Sequence, residues 1–427
     1  MSVESEGRRS RGRSRATFRD VLAVREFRGI VISQVASEAG DQIARVALAL
    51  LVLAHTGSPL YAAATFAVAI IPSFLGGALL GPVADRFSRR SLMLGADLAR
   101  AALIMLLALV AVPATPLWVL FGLLLVAELF TPLFDSARGA TTPEVLGSVA
   151  LVATGVALSR ALSLANQAVG LVLGGLIVQL SNNPRLALAI DGFSFLVSYG
   201  VLVVFLKPRP SVLESTPSLP VLMRDLRRGF TLLMSDRSRR ALVLLGWGMA
   251  LPLVAPEAVA LAYVDQQGAA DTWGGVLMAA VVIGAAVGAV AVGRRSPRDQ
   301  LDLVLPLAMM MSLPLLVTGI EPPLWLLTLL WFASGAAQAF LVPVMAFTTL
   351  LTPNDQRGSV VGIASAGFAL LTSVGYLVVG WVATITSPAF AVVVMAVIGL
   401  VVASASYVVW PAAHLRADVG ALEDRGV

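Results

Sequence analysis

The sequence of 427 residues contains no cysteine and only two histidines, His55 and His414. These absences argue against disulfide bonds, thiolate metal sites, cysteine nucleophiles and histidine-based metal or catalytic clusters. The single lysine, Lys207, follows Phe-Leu and not the glycine that precedes the lysine of a phosphate-binding Walker loop. We therefore expect neither an enzyme nor a nucleotide-driven pump, and no cofactor or metal ion.

Charge is also scarce, because only 13% of the residues are charged and 58% are hydrophobic, with a mean hydropathy of +0.88. Soluble domains average about 25% charged and about 45–50% apolar residues. Apolar runs of about 20 residues, the length of helix that crosses a bilayer, follow one another along the chain. The sequence therefore predicts an all-α integral membrane protein.

Twelve apolar segments are predicted to span the membrane as helices. They are residues 29–54, 60–83, 91–113, 117–138, 150–180, 186–206, 240–264, 273–293, 301–319, 323–350, 358–385 and 388–410. The N-terminal tail 1–28, the central segment 207–239 and the C-terminal tail 411–427 are predicted to lie outside the membrane. The N-terminal tail lacks the short apolar region of a signal peptide.

The arginine residues predict the orientation of the chain. Most arginine residues lie in the two tails and in, or at the edges of, the segments that follow even-numbered spans, whereas the segments that follow odd-numbered spans contain a single arginine, Arg185. Positively charged loops remain in the cytoplasm. Both termini of a multi-pass protein of the cell membrane are therefore predicted to be cytoplasmic. We interpret the basic N-terminal tail as a topology determinant that contacts anionic lipid, and not as a nucleic-acid-binding segment.

The central segment divides the spans into two halves of six, residues 29–206 and residues 240–410. The halves share a weak repeat, since the glycine-containing stretch 169–175 of span 5 resembles 374–380 of span 11. Its glycines predict close contact with neighbouring helices. Two similar halves around a central cavity are typical of secondary transporters, and one chain with both halves is expected to function as a monomer.

Span 1 contains three ionisable residues, Glu38, Asp41 and Arg45. Their spacing places them on one face of the helix, with Asp41 and Arg45 separated as an i,i+4 ion pair. A charge at mid-membrane costs at least about 2.5–3.5 kcal/mol on insertion scales, so this face is predicted to contact protein or water. Two interpretations are open: a proton site at Asp41, or secondarily at Glu38, and a static ion pair that fixes span 1 to a neighbour. Arg45 is expected to be a charge partner.

Other ionisable residues lie in spans 3, 4 and 5. Asp97 and Arg100 are three residues apart in span 3, which predicts a structural ion pair. Glu128 of span 4 has no cation near it in the sequence, and Arg160 of span 5 is its expected partner. A carboxylate without a fixed partner in a low-dielectric environment is suited to reversible protonation, so Glu128 is a further proton-site candidate.

Two residues of the C-terminal half are candidates for the substrate cavity: Glu257, which follows Pro256, and Gln338. The other residues expected to face the cavity are mostly Ala, Leu, Val and Phe. An apolar lining of this kind favours a hydrophobic or amphipathic small molecule.

The segment between spans 2 and 3 reads Gly-Pro-Val-Ala-Asp-Arg-Phe-Ser-Arg-Arg from Gly81 to Arg90. It resembles the G-x-x-x-D-R-x-G-R-R loop signature of the major facilitator superfamily, with Ser88 in place of the second glycine. The resemblance covers the whole chain, because twelve helices in two halves with both ends in the cytoplasm are the fold of that superfamily. Four further segments resemble its bacterial efflux branch, which includes siderophore and macrolide exporters: 40–42, 96–100, 134–138 and 356–358.

The resemblance implies a latch at the cytoplasmic side. In such a latch Asp85 would meet the N-terminal end of span 11, and Arg89 would form a bridge to Asp135. These contacts would hold the inner ends of the two halves together and favour an outward-open state. The full set of expected latch residues is Gly81, Asp85, Arg86, Arg89, Arg90, Asp135, Arg138 and Arg357.

The residues and the resemblance together predict a secondary active transporter. We expect proton-coupled export, by antiport and alternating access, of a drug, siderophore or secreted metabolite, with the proton gradient as the energy source. A carboxylate, Asp41 first and then Glu38 or Glu128, would exchange a proton for the substrate. Two alternatives stay open: an importer or facilitator of a metabolite, and a non-transporting membrane sensor of the same fold.

Overall fold

The computed structural model describes residues 16–75, 87–112, 114–209, 219–353 and 356–424. The N-terminal half forms helices α1 Phe18–Ala23, α2 Arg25–Thr56, α3 Pro59–Leu75, α4 Arg89–Val110, α5 Leu117–Glu128, α6 Thr131–Leu146, α7 Val149–Ser181 and α8 Pro184–Phe205. The remaining helices are α9 Leu219–Ser235, α10 Arg237–Gly248, α11 Ala250–Gln266, α12 Thr272–Gly293, α13 Pro297–Leu316, α14 Leu324–Ala337, α15 Leu341–Leu350, α16 Arg357–Ile385, α17 Pro388–Val409 and α18 Ala412–Asp424. Short 3₁₀ turns follow α13 and α14, at Val317–Ile320 and Gln338–Phe340.

Ten helical segments in the described ranges are long and apolar enough to cross a membrane. Three of them are helix pairs that run on from one another, α5 with α6, α10 with α11 and α14 with α15. Helix α2 has 32 residues, which is long enough, but its charged and polar side chains exclude it from the apolar set. Helix α3 contributes a shorter apolar stretch, Pro59–Pro72, and the part of the predicted span 60–83 from residue 76 onward lies outside the described residues. The protein is thus a multi-pass membrane protein, and the predicted count of twelve spans is not confirmed.

The helix boundaries follow from local sequence signals. Ser148 and Ser296 each accept a hydrogen bond from a backbone N–H in the first turn of the helix that follows, which satisfies a donor that the helix itself cannot. Gly57 ends α2 in the left-handed region, with φ at 61°, where a side chain would be strained. These signals end one helix and begin the next within a few residues.

The central segment 207–239 contains a helix, α9, that lies against α16. Leu233 is fully buried in a cluster with Val243 and Val360, whereas Arg227 and Arg228 are exposed. Gly229 allows the close approach, because a Cβ at this position would contact the side chain of Ser359. The segment between the halves is therefore amphipathic, with one apolar face on the C-terminal half.

Within the N-terminal half, α2 packs along α7 and α8. The predicted close contact of the glycines in span 5 is confirmed, since a Cβ at Gly170 would lie 2.7 Å from the carbonyl oxygen of Ala39 in α2. A Cβ at Gly174, one turn further along α7, would lie 2.8 Å from Cβ of Val46 in α2. The glycines let the backbones of α7 and α2 approach, which holds α2 in the interior of its half.

The two halves meet where α2 ends and α3 begins, an end of the bundle that we call the α2–α3 end. Here the backbone N–H of Leu60 donates a hydrogen bond to Thr384 Oγ1 at 3.0 Å, and the Thr272 hydroxyl donates to Gln179. Helix α3 thus contacts α16, and α7 contacts α12. The arginine pattern predicts that this end is external.

Candidate functional site

Six ionisable side chains from four helices form a cluster inside the N-terminal half, which we call the buried charge cluster. The four helices are α2, α4, α5 and α8. Their contributions are Asp41, Arg45, Asp97, Arg100, Glu128 and Asp191.

One ion pair of the cluster joins α2 to α5. Arg45 Nη2 and Nε donate to the same oxygen of Glu128, Oε1, at 2.7 and 3.1 Å. The other oxygen, Oε2, accepts a hydrogen bond from the Thr131 hydroxyl at 2.9 Å. The Glu128 side chain is only 5% exposed. Because both carboxylate oxygens have donors, Glu128 is held as a fixed anion, and the two helices are linked through it.

A second ion pair joins α2 to α4. Arg100 Nη2 donates to Asp41 Oδ1 at 2.6 Å, and both side chains are buried. The guanidinium carbon lies 4.0 Å above the ring centroid of Phe195 in α8, a cation–π contact that stabilises Arg100 in the interior. Asp41 is thus held by one arginine from a neighbouring helix.

The predicted partners of these charges are wrong in each case. Asp41 does not pair with Arg45, and Arg100 does not pair with Asp97, because α4 and α5 pack against the charged face of α2 and supply closer partners. Glu128 pairs with Arg45, and its expected partner, Arg160, is exposed on α7. Spacing along one helix identified the charged face but not the partners that other helices bring to it.

Two carboxyl groups of the cluster have no salt-bridge partner among the described residues. Asp97 Oδ2 accepts a hydrogen bond from the Ser198 hydroxyl at 2.5 Å. The other oxygen of Asp97, Oδ1, is buried and has no hydrogen-bond partner among the described residues. Asp191 is 1% exposed, and its Oδ1 accepts from Ser194 at 3.3 Å. Both groups are held by hydroxyl groups only.

The sequence places Asp191 near the outer end of span 6, from which a solvated side chain is expected, and it was not among the candidate residues; this expectation is wrong, because the side chain is buried. Its burial depends on Gly40, because a Cβ at Gly40 would contact the carboxylate of Asp191 and the hydroxyl of Ser194. A glycine immediately before Asp41 is the signal that could have indicated close approach of another helix at this point.

A small cavity lies at the centre of the cluster. It is lined by Asp41, Arg45, Arg100, Glu128 and Asp191 together with apolar side chains, and about 10 Å³ of it is open to the centre of a water molecule. This volume is close to the minimum for one water with polar partners. The arrangement can therefore hold a single water molecule between the carboxyl and guanidinium groups.

Glu38 belongs to a second, half-buried group. Arg138 of α6 donates from Nη1 to Glu38 Oε1 at 2.9 Å and pairs through Nη2 with Asp135 Oδ1 at 2.9 Å. Gln34 donates to Glu38 Oε2 at 3.2 Å and to the Ser163 hydroxyl of α7 at 2.9 Å. Glu38 therefore has an arginine partner that joins α2 to α6, and Gln34 joins α2 to α7.

The latch predicted from the resemblance is only partly within the described residues. Gly81, Asp85 and Arg86 lie outside them. Arg89 does not contact Asp135 as expected. It donates to the carbonyl oxygen of Ala140 at 3.0 Å and to the carboxylate of Glu144.

The expected bridge is absent between these two residues because Asp135 is paired with Arg138 three residues along the same helix. At the other expected latch position, Arg357 Nε donates to the carbonyl oxygens of Thr349 and Thr352, at 2.9 and 3.3 Å. The Arg357 guanidinium thus binds carbonyl groups at the C-terminal end of α15, where the last carbonyl groups of a helix lack intrahelical partners.

The substrate-cavity candidates Glu257 and Gln338 lie in the C-terminal half and belong to none of the four helices that form the buried charge cluster. Glu257 lies in α11 beside the hydroxyl of Tyr376, and within electrostatic range of Arg45. The Tyr376 ring stacks on Phe66 of α3, with ring centroids 5.6 Å apart. Gln338 is partly buried in the 3₁₀ turn after α14. Their contact with a substrate stays a prediction.

Comparison with known proteins shows that this bundle of two packed halves is a secondary transporter of the major facilitator type. Residues 18–420 match the family model described as transmembrane secretion effector. The chain belongs to this family of the major facilitator superfamily.

Solved structures of similar fold are also transporters. The nucleoside transporter NupG superposes with a TM-score of 0.70 at 14% identity, covering 90% of this chain and 99% of that one. A bacterial homologue of the human lysosomal transporter Spinster, in an inward-facing and unoccupied conformation, gives 0.67 at 13% identity, with 92% and 98% covered. A D-xylose–proton symporter gives 0.65 at 14% identity, with 93% and 98% covered. Comparison with curated proteins gave no match.

Proposed function

We propose that the protein is a proton-coupled exporter of a hydrophobic or amphipathic small molecule, and that the buried charge cluster carries the protons. The observation that carries the proposal is the excess of acid in the cluster. Four carboxyl groups, those of Asp41, Asp97, Glu128 and Asp191, share the interior with only two guanidinium groups.

This excess favours proton binding. Two of four carboxylates would remain uncompensated, and each charge without a partner at mid-membrane costs at least about 2.5–3.5 kcal/mol on insertion scales. A bound proton removes that cost, and the central cavity has room for one water molecule beside the carboxylates of Asp41, Glu128 and Asp191. Glu128 has donors on both oxygens and is suited to remain ionised. Asp97 and Asp191, which are held by hydroxyl groups and have no arginine partner among the described residues, are suited to keep a bound proton. Asp41, paired with one guanidinium through one oxygen, is the candidate for the group that exchanges its proton when that pair opens.

Protonation of Asp41 would also change helix contacts. The Asp41–Arg100 pair joins α2 to α4, so a proton on Asp41 weakens that connection and frees Arg100 to interact with Asp97 or Asp191. An exchange of partners of this kind converts proton binding into a shift of α2 relative to its neighbours. Coupling of a transport cycle to protons requires such an element with two arrangements.

The direction of transport is proposed from two observations. The family is described by its role in secretion, which supports export. In this structure the halves are in contact at the α2–α3 end, which is predicted to be external. A substrate would then enter from the side predicted to be cytoplasmic. We accordingly propose a multi-pass protein of the cell membrane with both termini in the cytoplasm, acting on its substrate as a monomer.

An importer is the second candidate, because the same fold is found in a D-xylose–proton symporter. Accumulation of a panel of dyes and antibiotics in efflux-deficient cells distinguishes the two. Export predicts lower accumulation of some compound in cells with the wild type, lost with Asp41→Asn and on collapse of the proton gradient. Asp302→Asn, which removes an exposed carboxylate paired with Arg416, is the matched control and should behave as the wild type. Raised accumulation with the wild type would contradict export and favour import.

A further inference from the structure

A basic pocket opens at the end of the N-terminal half opposite the α2–α3 end. It has a volume of about 510 Å³ and lies between the start of α2, the start of α4 and the end of α8. Its charged lining residues are Arg25, Glu26, Arg90 and Lys207, a net charge of +2. The volume is within the range of roughly 300–1,000 Å³ that is typical of small-ligand pockets. The arginine pattern places this end in the cytoplasm.

The positive charges of the pocket are only partly engaged within the protein. Glu26 is already paired with Arg209 at 2.9 Å and lies 3.8 Å from Lys207. Arg90 donates from Nη2 to the carbonyl oxygen of Val203 at 3.0 Å, and its Nε is buried without a hydrogen-bond partner among the described residues. The Arg90 guanidinium thus has more N–H donors than the one acceptor that the described residues supply, and it can donate to an anionic oxygen in the pocket that it lines.

The aromatic ring of Phe205, itself part of the pocket lining, contacts the guanidinium group of Arg25 and that of one further residue, Arg28. Arg25 and Arg28 lie over this ring, 5.7 and 6.0 Å from its centroid. Both side chains are otherwise exposed. The cation–π contacts hold two positive charges at the mouth of the pocket, next to Arg90 and Lys207.

An apolar stripe leads along α8 to the pocket. Its side chains are exposed at spacings of three, four and seven residues, which places them on one face of the helix. They are Leu186, Ile190, Phe193, Val197 and Val204. The stripe covers about 27 Å at 1.5 Å per residue, close to the thickness of the bilayer core of about 30 Å. Val204, at its end, also lines the pocket.

From this continuity we infer that the pocket binds the phosphate headgroup of an anionic phospholipid of the cytoplasmic leaflet, with the acyl chains along the exposed face of α8. A soluble phosphate compound would use the same guanidinium groups but would gain nothing from the apolar stripe. The lipid would hold the N-terminal ends of α2 and α4 to the C-terminal end of α8, independently of the proposed transport reaction.

Native mass spectrometry of the full-length protein in detergent tests this inference. The probes are dioleoyl phosphatidylglycerol and dioleoyl phosphatidylcholine, which have the same acyl chains and differ in headgroup charge. We expect at least tenfold tighter retention of phosphatidylglycerol by the wild type. The double variant Arg25→Gln/Arg90→Gln should lose this preference at least tenfold, since each basic residue near an anionic surface contributes about fivefold. Its binding of phosphatidylcholine should not change.

Arg294→Gln is the matched control, because this exposed arginine lies after α12, in a segment predicted to be on the same side of the membrane. It should bind phosphatidylglycerol as the wild type does. If the Arg90 variant is not monodisperse, Arg25→Gln/Lys207→Gln retains the Arg90–Val203 contact and should show the same loss. Equal retention of the two lipids by the wild type would overturn the inference, as would unchanged retention in the pocket variants. Displacement of phosphatidylglycerol by glycerol phosphate would assign the pocket to a soluble ligand instead.

Discussion

Gly175 and Gly380 occupy equivalent positions in the two halves, and each lies directly against the opposite half. A Cβ at Gly175 of α7 would lie 2.8 Å from the carbonyl oxygen of Asp271, before α12. A Cβ at Gly380 of α16 would lie 2.9 Å from Cα of Leu60 in α3. The repeat in the sequence is therefore also a repeat in packing, and its glycines allow the halves to meet at the α2–α3 end.

Locking this contact should stop transport. The hydroxyl oxygens of Ser58 and Thr384 are 3.3 Å apart, and the chain has no native cysteine to interfere. We expect the variant Ser58→Cys/Thr384→Cys to form a disulfide on oxidation and to lose transport to background, because the α2–α3 end can no longer open. Reductant should restore activity, and each single cysteine variant should be insensitive to oxidant. Full activity of the crosslinked protein would show that this end does not need to separate.

Acid pH should favour closure of the same end. Burial, together with the neighbouring charge of Asp265, raises the pKa of Asp271 from its usual 3.8. Opening would expose this carboxyl to water, so the closed state binds the proton more tightly than the open state. The contribution to closure is complete below about pH 4 and is lost as the pH rises through the raised pKa.

Energy transfer between dyes at Tyr61→Cys and Thr386→Cys, both exposed, can follow the closure. The closed population should fall as the pH is raised from about 4 to 7. In Asp271→Asn the population should be high and should no longer vary over this range. A pH dependence that survives in Asp271→Asn would assign it to another group.

Replacing one member of the Arg45–Glu128 pair should destabilise the protein more than replacing both members. Arg45→Met or Glu128→Leu alone leaves a buried charge without its partner, which typically destabilises by about 3–5 kcal/mol. The double variant removes both charges, and we expect it to recover most of that loss. Thermal unfolding of the purified protein measures the effect. Additive losses in the double variant would mean that the two side chains act independently.

Composition and hydropathy were sufficient to predict the membrane class, and the positions of most spans follow from the apolar runs. The face of α2 with Asp41 and Arg45 could also be predicted, since it depends only on helical periodicity. Their partners could not, because Arg100 and Glu128 arrive from other helices and the sequence does not give the rotation of those helices. Asp191 was missed for a related reason: its burial depends on how closely α8 approaches Gly40.

The residues of the predicted latch illustrate a second limit. The loop signature resembles that of the superfamily, and Arg89 and Arg90 lie at the start of α4, where they contact α6 and α8. Arg89 nevertheless contacts Glu144, a residue that the resemblance did not include. Glu144 lies about two and a half turns from Asp135 along the same helix, and only the three-dimensional packing decides which of the two carboxylates the Arg89 side chain contacts.

The central claim is that Asp41 exchanges protons during export, and it can be measured directly in proteoliposomes. The vesicles would contain the protein and a pH-sensitive dye, with an imposed gradient of ethidium or of another compound identified in cells. We expect the ethidium gradient to drive protons in the opposite direction with the wild type and with Asp302→Asn, and to drive none with folded Asp41→Asn. Proton movement by Asp41→Asn at the wild-type rate would contradict it.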